Sequence, residues 1–181
     1  DGSVRRVDWR TAVVPIVGGV AMFALAGRFT EAVPLVLFGG YFLALILLLA
    51  TDLDQRLLPD VITLPLIPIT AVASIAGLNP LVGGGQLVTA AIAAIAIPLV
   101  LYMLSIPFGA GAIGMGDLKL LVSVGLLTGL ARAVVGVVAG ALLSGVVIVA
   151  LLATRRVTLR SYIPFGPFLI IGAFWSVIVR L

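Results

Sequence analysis

Apolar residues in this chain fall into long unbroken runs, separated by short clusters of charge. The runs cover roughly 12–27, 34–50, 61–78, 86–106, 118–131, 133–153 and 162–180. A helix needs about 17–25 residues to cross ~30 Å of hydrocarbon, and the runs approach that length, the fifth being the shortest. A membrane-barrel strand would alternate apolar and polar positions over about ten residues, and none of these runs does. The pattern predicts an all-α, polytopic membrane protein of about seven transmembrane helices. It forms a single integral-membrane domain over 1–181, with residues 1–10 as a short leading segment.

Composition agrees with that picture. Of 181 residues 62% are hydrophobic and only 10% charged, whereas a soluble domain carries about a quarter of its residues as charges. Lipid is therefore expected to cover most of the surface. No cleavable signal peptide is expected, because the first apolar run is long enough to stay in the membrane.

Charge then orients the chain. If the seven runs span, one side holds Arg5, Arg6, Arg10, Arg56, Lys119, Arg155, Arg156 and Arg160, and the other Arg28, Arg132 and Arg180. The excess of cations places the first group, and the N-terminus, in the cytoplasm. Basic loops facing anionic lipid account for the net charge of +4, so no nucleic-acid partner is expected.

The sequence has no cysteine and no histidine. Thiolate catalysis, Ser–His chemistry and the common zinc sites are thereby excluded, and no metal site is expected. Proton chemistry falls to the carboxylates, Lys119 and three tyrosines. Asp52, Asp54, Asp60 and Asp117 all lie at cytoplasmic ends of runs, Glu31 lies on the other side, and Asp1 and Asp8 belong to the leading segment. Carboxylates at a membrane edge are functional candidates because they are costly to keep there.

Asp52 and Asp54, two residues apart on a helix, point in directions about 200° different and do not pair with each other. Asp52 has Arg56 at the i,i+4 spacing. Pro59 stops the helix, and Asp60 with Thr63 resembles a helix entry. Further on, Gly109, Gly111, Gly114 and Gly116 crowd eight residues and predict irregular backbone at the membrane edge. Asp117 follows at the start of the next helix, where an N-cap is the bland alternative. Two aspartates from separate helices at one depth suggest a dyad sharing one proton, since two adjacent carboxylates cannot both ionise.

These residues resemble the type IV prepilin peptidases, a group of GxGD membrane aspartic proteases. The resemblance rests on Gly114-Met115-Gly116-Asp117 followed by Leu118-Lys119-Leu120-Leu121, on Asp52-Leu53-Asp54 followed by Leu57-Leu58-Pro59-Asp60 and Leu64-Pro65-Leu66, and on Ile163-Pro164-Phe165-Gly166-Pro167-Phe168. It spans roughly 34–181 and implies a GxGD aspartic protease-like fold with Asp52 and Asp117 as the catalytic pair. Asp54, Arg56, Gly114, Gly116 and Lys119 would support the site. The resemblance further implies cleavage of a prepilin or pseudopilin leader, after a glycine that precedes the substrate's hydrophobic helix. Such an enzyme serves type IV pilus assembly or protein secretion at the cytoplasmic face of the bacterial inner membrane, and its proteolysis requires no cofactor. Many family members also carry a cysteine-paired cytoplasmic insert. Nothing here matches it, so methylation from S-adenosylmethionine is not expected. Ala112 stands where the family has a further glycine.

Several residues have plainer alternatives. Asp54 is read as a solvated helix-end charge, Asp60 as a cap, Arg56 as part of the cytoplasmic cation bias, and Lys119 as a lysine snorkelling to the interface or binding leader or headgroups. Gly136, Gly140 and Ser144 form a small-residue ridge suited to helix packing. Pro65, Pro68 and Pro98 are expected to kink their helices. Gly83, Gly84 and Gly85 read as an outside loop. Phe165 reads as part of a turn or as a wall of a cavity. The rival class is a small ion- or proton-coupled transporter using the same aspartates. It is weakened by the lack of an internal repeat and by acids that sit at one edge instead of the midplane.

Overall fold

The computed structural model describes residues 9–108, 113–155 and 165–180. Asp1, Arg5, Arg6, Asp8, the glycine-rich 109–112, Arg156, Arg160, Ile163 and Pro164 lie outside the described residues. The described chain is helical, with no strand: α1 (Trp9–Arg28), α2 (Ala32–Gln55), α3 (Asp60–Ile75), α4 (Leu87–Ser105), α5 (Met115–Ala153) and α6 (Gly166–Ile178). Short 3-10 turns at Gly84–Gln86 and Ile106–Phe108 flank α4. Ala32–Gln55, Gly84–Ser105 and Met115–Ala153 are long and apolar enough to cross a membrane, and the other helices are shorter but apolar.

Helix α5 is two arms in one element. Gly129 breaks it with φ 73° and ψ 175°, a conformation open to glycine and strained for other residues. The first arm starts beside Asp60 of α3 and reaches Ser74 and Asn79 near its end, where the Leu126 and Leu127 carbonyls accept their hydrogen bonds. The second arm runs back: Arg132 donates to the Val179 carbonyl at the end of α6, and Gly140 lies against Phe168 near its start. The expected boundary between the fifth and sixth runs, at Arg132, therefore moves to Gly129.

Outward faces are apolar and bare. Phe23, Val36 and Ile75 are each more than 70% exposed, which a protein in water could not sustain over so many positions but a lipid-covered one can. Inside, Phe38, Phe42, Leu45, Leu48 and Leu49 of α2 meet Leu120, Val124 and Leu127 of α5 and Ile170, Phe174 and Val177 of α6. Glycines permit the closest approaches. A Cβ on Gly136 would stand 2.5 Å from the Gly172 carbonyl oxygen, one on Gly140 2.6 Å from that of Phe168, and one on Gly125 2.6 Å from the Ala94 nitrogen. The ridge of Gly136, Gly140 and buried Ser144 thus packs helix on helix, as small residues do where lipid supplies no hydrophobic drive. Pro65, Pro68 and Pro98 all lie inside helices, in α3 and α4.

Consecutive helices alternate in direction, so the molecule has two ends. One holds the end of α2 and the starts of α3, α5 and α6. The other holds Arg28, Glu31, the α3–α4 connection and the Gly129 break.

Candidate active site

Helix α2 carries Asp52 to the first of these ends. Its side chain is 4% exposed, and its Oδ2 finds no hydrogen-bond partner among the described residues. The helix stops just beyond it, because Arg56 adopts the left-handed conformation (φ 55°) and donates its N–H to the Asp52 carbonyl at 2.8 Å. That backbone contact replaces the expected side-chain pair: Asp52 forms no ion pair with Arg56, whose side chain is exposed. Asp54 is also exposed and lies outside the cavity lining described below.

Asp117 arrives from α5. Gly114 is the N-cap residue (φ −68°, ψ 143°), and Asp117, in the third helical position, accepts the Gly114 N–H at 3.3 Å through Oδ2. The plain expectation of an N-cap is corrected in detail. Asp117 reaches back to serve the helix start from inside, one half of a capping box whose other half glycine cannot supply. One carboxylate oxygen is engaged there, and the group still faces the cavity.

A cavity of about 420 Å³ joins the two aspartates. Its lining combines Asp52, the connector from Gln55 to Asp60, Gly114 to Asp117, Lys119, Phe165 and Gly166. Three segments distant in sequence therefore meet at one mouth, and Asp52 lies within electrostatic reach of Asp117. Two glycines make the meeting sterically feasible. A Cβ on Gly116 would stand 2.7 Å from Leu58 Cβ and 2.9 Å from the Leu58 carbonyl oxygen, so α5 can start only where that side chain is absent. A Cβ on Gly166 would stand 2.6 Å from Asp52 Oδ2, so α6 begins directly over the carboxyl.

Lys119 and Asp60 depart from expectation. Lys119 Nζ binds Asp60 Oδ1 at 2.7 Å, with the two side chains 26% and 57% exposed. Asp60 is not a cap: Pro59 occupies the N-cap position of α3 without a side-chain cap, and Thr63 donates back to the Pro59 carbonyl at 3.3 Å. Opposite charges at the starts of two helices on one membrane edge were the available signal for this pair. Their separation of 59 positions concealed it. Arg56, Gly114 and Gly116 do line the cavity with both aspartates. No group of three His, Cys, Asp or Glu side chains suited to a metal ion occurs among the described residues.

The chain matches the model of the type IV leader peptidase family over residues 39–151, more than half its length. It belongs to the type IV leader peptidase family. No curated protein and no solved structure matches it. Membership in the leader peptidase family makes a protease that acts on a protein bearing a leader peptide the coarse description of this molecule. The matched region includes both Asp52 and Asp117, and α6 with Gly166 lies beyond it.

Proposed function

We propose that this leader peptidase is an aspartic endopeptidase whose catalytic pair is Asp52 and Asp117, and that it removes the leader of prepilin- or pseudopilin-like proteins after a glycine. The observation that carries this is the shared cavity. Carboxyls from two separate helices face one space, and one of them has a buried oxygen without a partner among the described residues. A buried polar atom left unpaired costs free energy, so a substrate or a water is its natural complement.

The chemistry needs one carboxyl protonated and the other ionised. The ionised member takes a proton from water as the water oxygen attacks the scissile carbonyl carbon, and the protonated member donates to the carbonyl oxygen. Collapse of the tetrahedral intermediate breaks the C–N bond, and the departing amine takes up a proton from the pair. The titration belongs to the dyad and not to either aspartate alone. The mouth carries Arg56 and Lys119, with Arg155 at the end of α5, while Arg28, Arg132 and Arg180 mark the opposite end. That distribution supports a cytoplasmic active site in a bacterial inner membrane.

The test uses purified protein in liposomes with a prepilin-like peptide comprising a leader, a glycine and an apolar helix. Cleavage after the glycine is expected, with loss in both Asp52→Asn and Asp117→Asn. Retained cleavage in both variants would overturn the dyad. Proton or cation flux that requires Asp117, without cleavage, would favour a transporter instead.

A further inference from the structure

The two aspartates ride on helices whose backbones do not pack on each other closely. Helix α2 packs along α1 and α6, and α5 packs along α3, α4 and α6. Side chains of α2 and α5 do meet deeper in the bundle, where Tyr41 Oη and Ser123 Oγ stand 2.9 Å apart, so the spacing of the carboxyls at the mouth depends on what joins the two helices there. The connector between α2 and α3 is the direct route. It begins four residues after Asp52 with the left-handed turn at Arg56, passes Leu58 against Gly116, and ends at Asp60 on Lys119. Both anchor points on α5 lie within two residues of Asp117.

We infer that the Asp60–Lys119 ion pair is a latch that holds the connector on the first turn of α5 and so fixes the separation of Asp52 and Asp117. Lys119 and Asp60 are positioning residues, since they act through the aspartates. This rests on the proposed peptidase reading and extends it. The Leu58–Gly116 contact is steric and restricts approach, but no bond in it pins the connector along the helix. A 2.7 Å charge-assisted bond does. The pair is partly exposed, and pairs of that kind contribute little to folding stability. Its loss is therefore expected in the geometry of the mouth more than in the stability of the bundle.

The experiment exploits a chain that has no cysteine of its own. Gln55→Cys and Met115→Cys, one on each side of the mouth, accept spin labels for distance measurement by pulsed EPR. The same labelled background carries Lys119→Gln, Asp60→Asn, or the swapped pair Lys119→Asp with Asp60→Lys. Cleavage of the prepilin-like peptide is measured in unlabelled chains. Each single variant is expected to broaden the label distance distribution and to lower kcat about tenfold with KM within about twofold, the scale of a modest misplacement of catalytic groups. The swapped pair is expected to restore both. A distribution that stays narrow in the single variants overturns the latch whatever happens to cleavage. So does a rise in KM at unchanged kcat, which would make Lys119 a substrate contact. The distance arm does not depend on peptidase activity, so a chain that never cleaves the peptide refutes the proposed function while the latch is still decided.

Discussion

Asn79 and Asp52 occupy opposite ends of the same bundle and are almost equally inaccessible, 2% and 4% exposed. Their surroundings differ completely. Asn79 donates through Nδ2 to the Leu127 carbonyl at 2.7 Å and to Ser74 Oγ at 3.0 Å, and its Oδ1 accepts the Leu81 N–H at 3.0 Å. Ser74 in turn donates to the Leu126 carbonyl at 3.0 Å. This network ties the α3–α4 connection to the end of the first α5 arm, and Gly77 at φ 71° lets the chain turn into it. Asp52, by contrast, has a buried oxygen with no partner among the described residues. A buried polar group that is fully satisfied holds structure together. One left unsatisfied costs about 1–3 kcal/mol, which a bound water, an ion or a substrate can recover. One end of this protein is closed by its own hydrogen bonds, and at the other the proposed function has a substrate or water complete Asp52.

The strongest way to break that contrast is to neutralise Asp52. Asp52→Asn keeps the shape and removes the charge. We expect cleavage to fall by at least about 100-fold, the scale of a lost acid–base group. Thermal stability should hold or rise, because an unpaired buried carboxylate is replaced by a neutral group. A marked drop in melting temperature would mean that Asp52 is structural after all, and the two ends would no longer differ in kind.

Gly166→Ala comes next. Its Cβ would be placed 2.6 Å from Asp52 Oδ2, but the obstacle is the tip of a side chain that can rotate away. The fold is expected to survive while the carboxyl is displaced, lowering kcat about tenfold or more. Circular dichroism alongside cleavage separates the two effects, and full activity would show that α6 does not govern the carboxyl.

At the other end, Asn79→Ala removes the centre of the hydrogen-bond network and strands the Leu127 carbonyl. A cost of about 1–3 kcal/mol in stability is expected, read as a lower melting temperature in a fixed detergent. Cleavage per folded molecule should be unchanged. A selective loss of kcat would show that the far end communicates with the site.

How much of this was legible in the sequence follows from the same contrast. Helical membrane spans were visible because hydrocarbon thickness imposes a length on apolar runs, and the small-residue ridge at Gly136 and Gly140 because close packing demands it. The coincidence of Asp52 and Asp117 at one end followed from counting spans, since alternation of direction puts the end of the second and the start of the fifth on one side. Contacts that depend on side-chain reach were not visible. Lys119 gave no sign that it would pair with Asp60, because the pairing depends on how α3 and α5 lie side by side. Asn79 before Pro80 is common turn composition, and nothing in the sequence marks its bonds to Ser74, Leu81 and Leu127. Asp52 had Arg56 at the proper spacing, but the helix ended in a left-handed residue and the pair never formed. Position along the chain sets which end a residue occupies, and three-dimensional packing sets whom it meets there.

The smallest expected effect tests whether glycine content alone, and not glycine contact, explains the packing. Gly145 lies on the second arm of α5, five residues beyond Gly140. A Cβ there would meet nothing within 4 Å, whereas one on Gly140 would strike the Phe168 carbonyl oxygen at 2.6 Å. Both are helical glycines, so propensity alone favours alanine equally at each. Only the contact distinguishes them. Gly145→Ala is therefore expected to leave stability unchanged or raise it by up to about 1 kcal/mol, the propensity gain alone, and to leave cleavage untouched. Gly140→Ala in the same detergent should lower the melting temperature, because a helix backbone cannot give way as a side chain can. Equal melting temperatures for the two variants would mean that the second arm and α6 are packed more loosely than the Gly140–Phe168 approach implies. In that case the distinction between close-packed glycines and lipid-facing ones would fail along this arm.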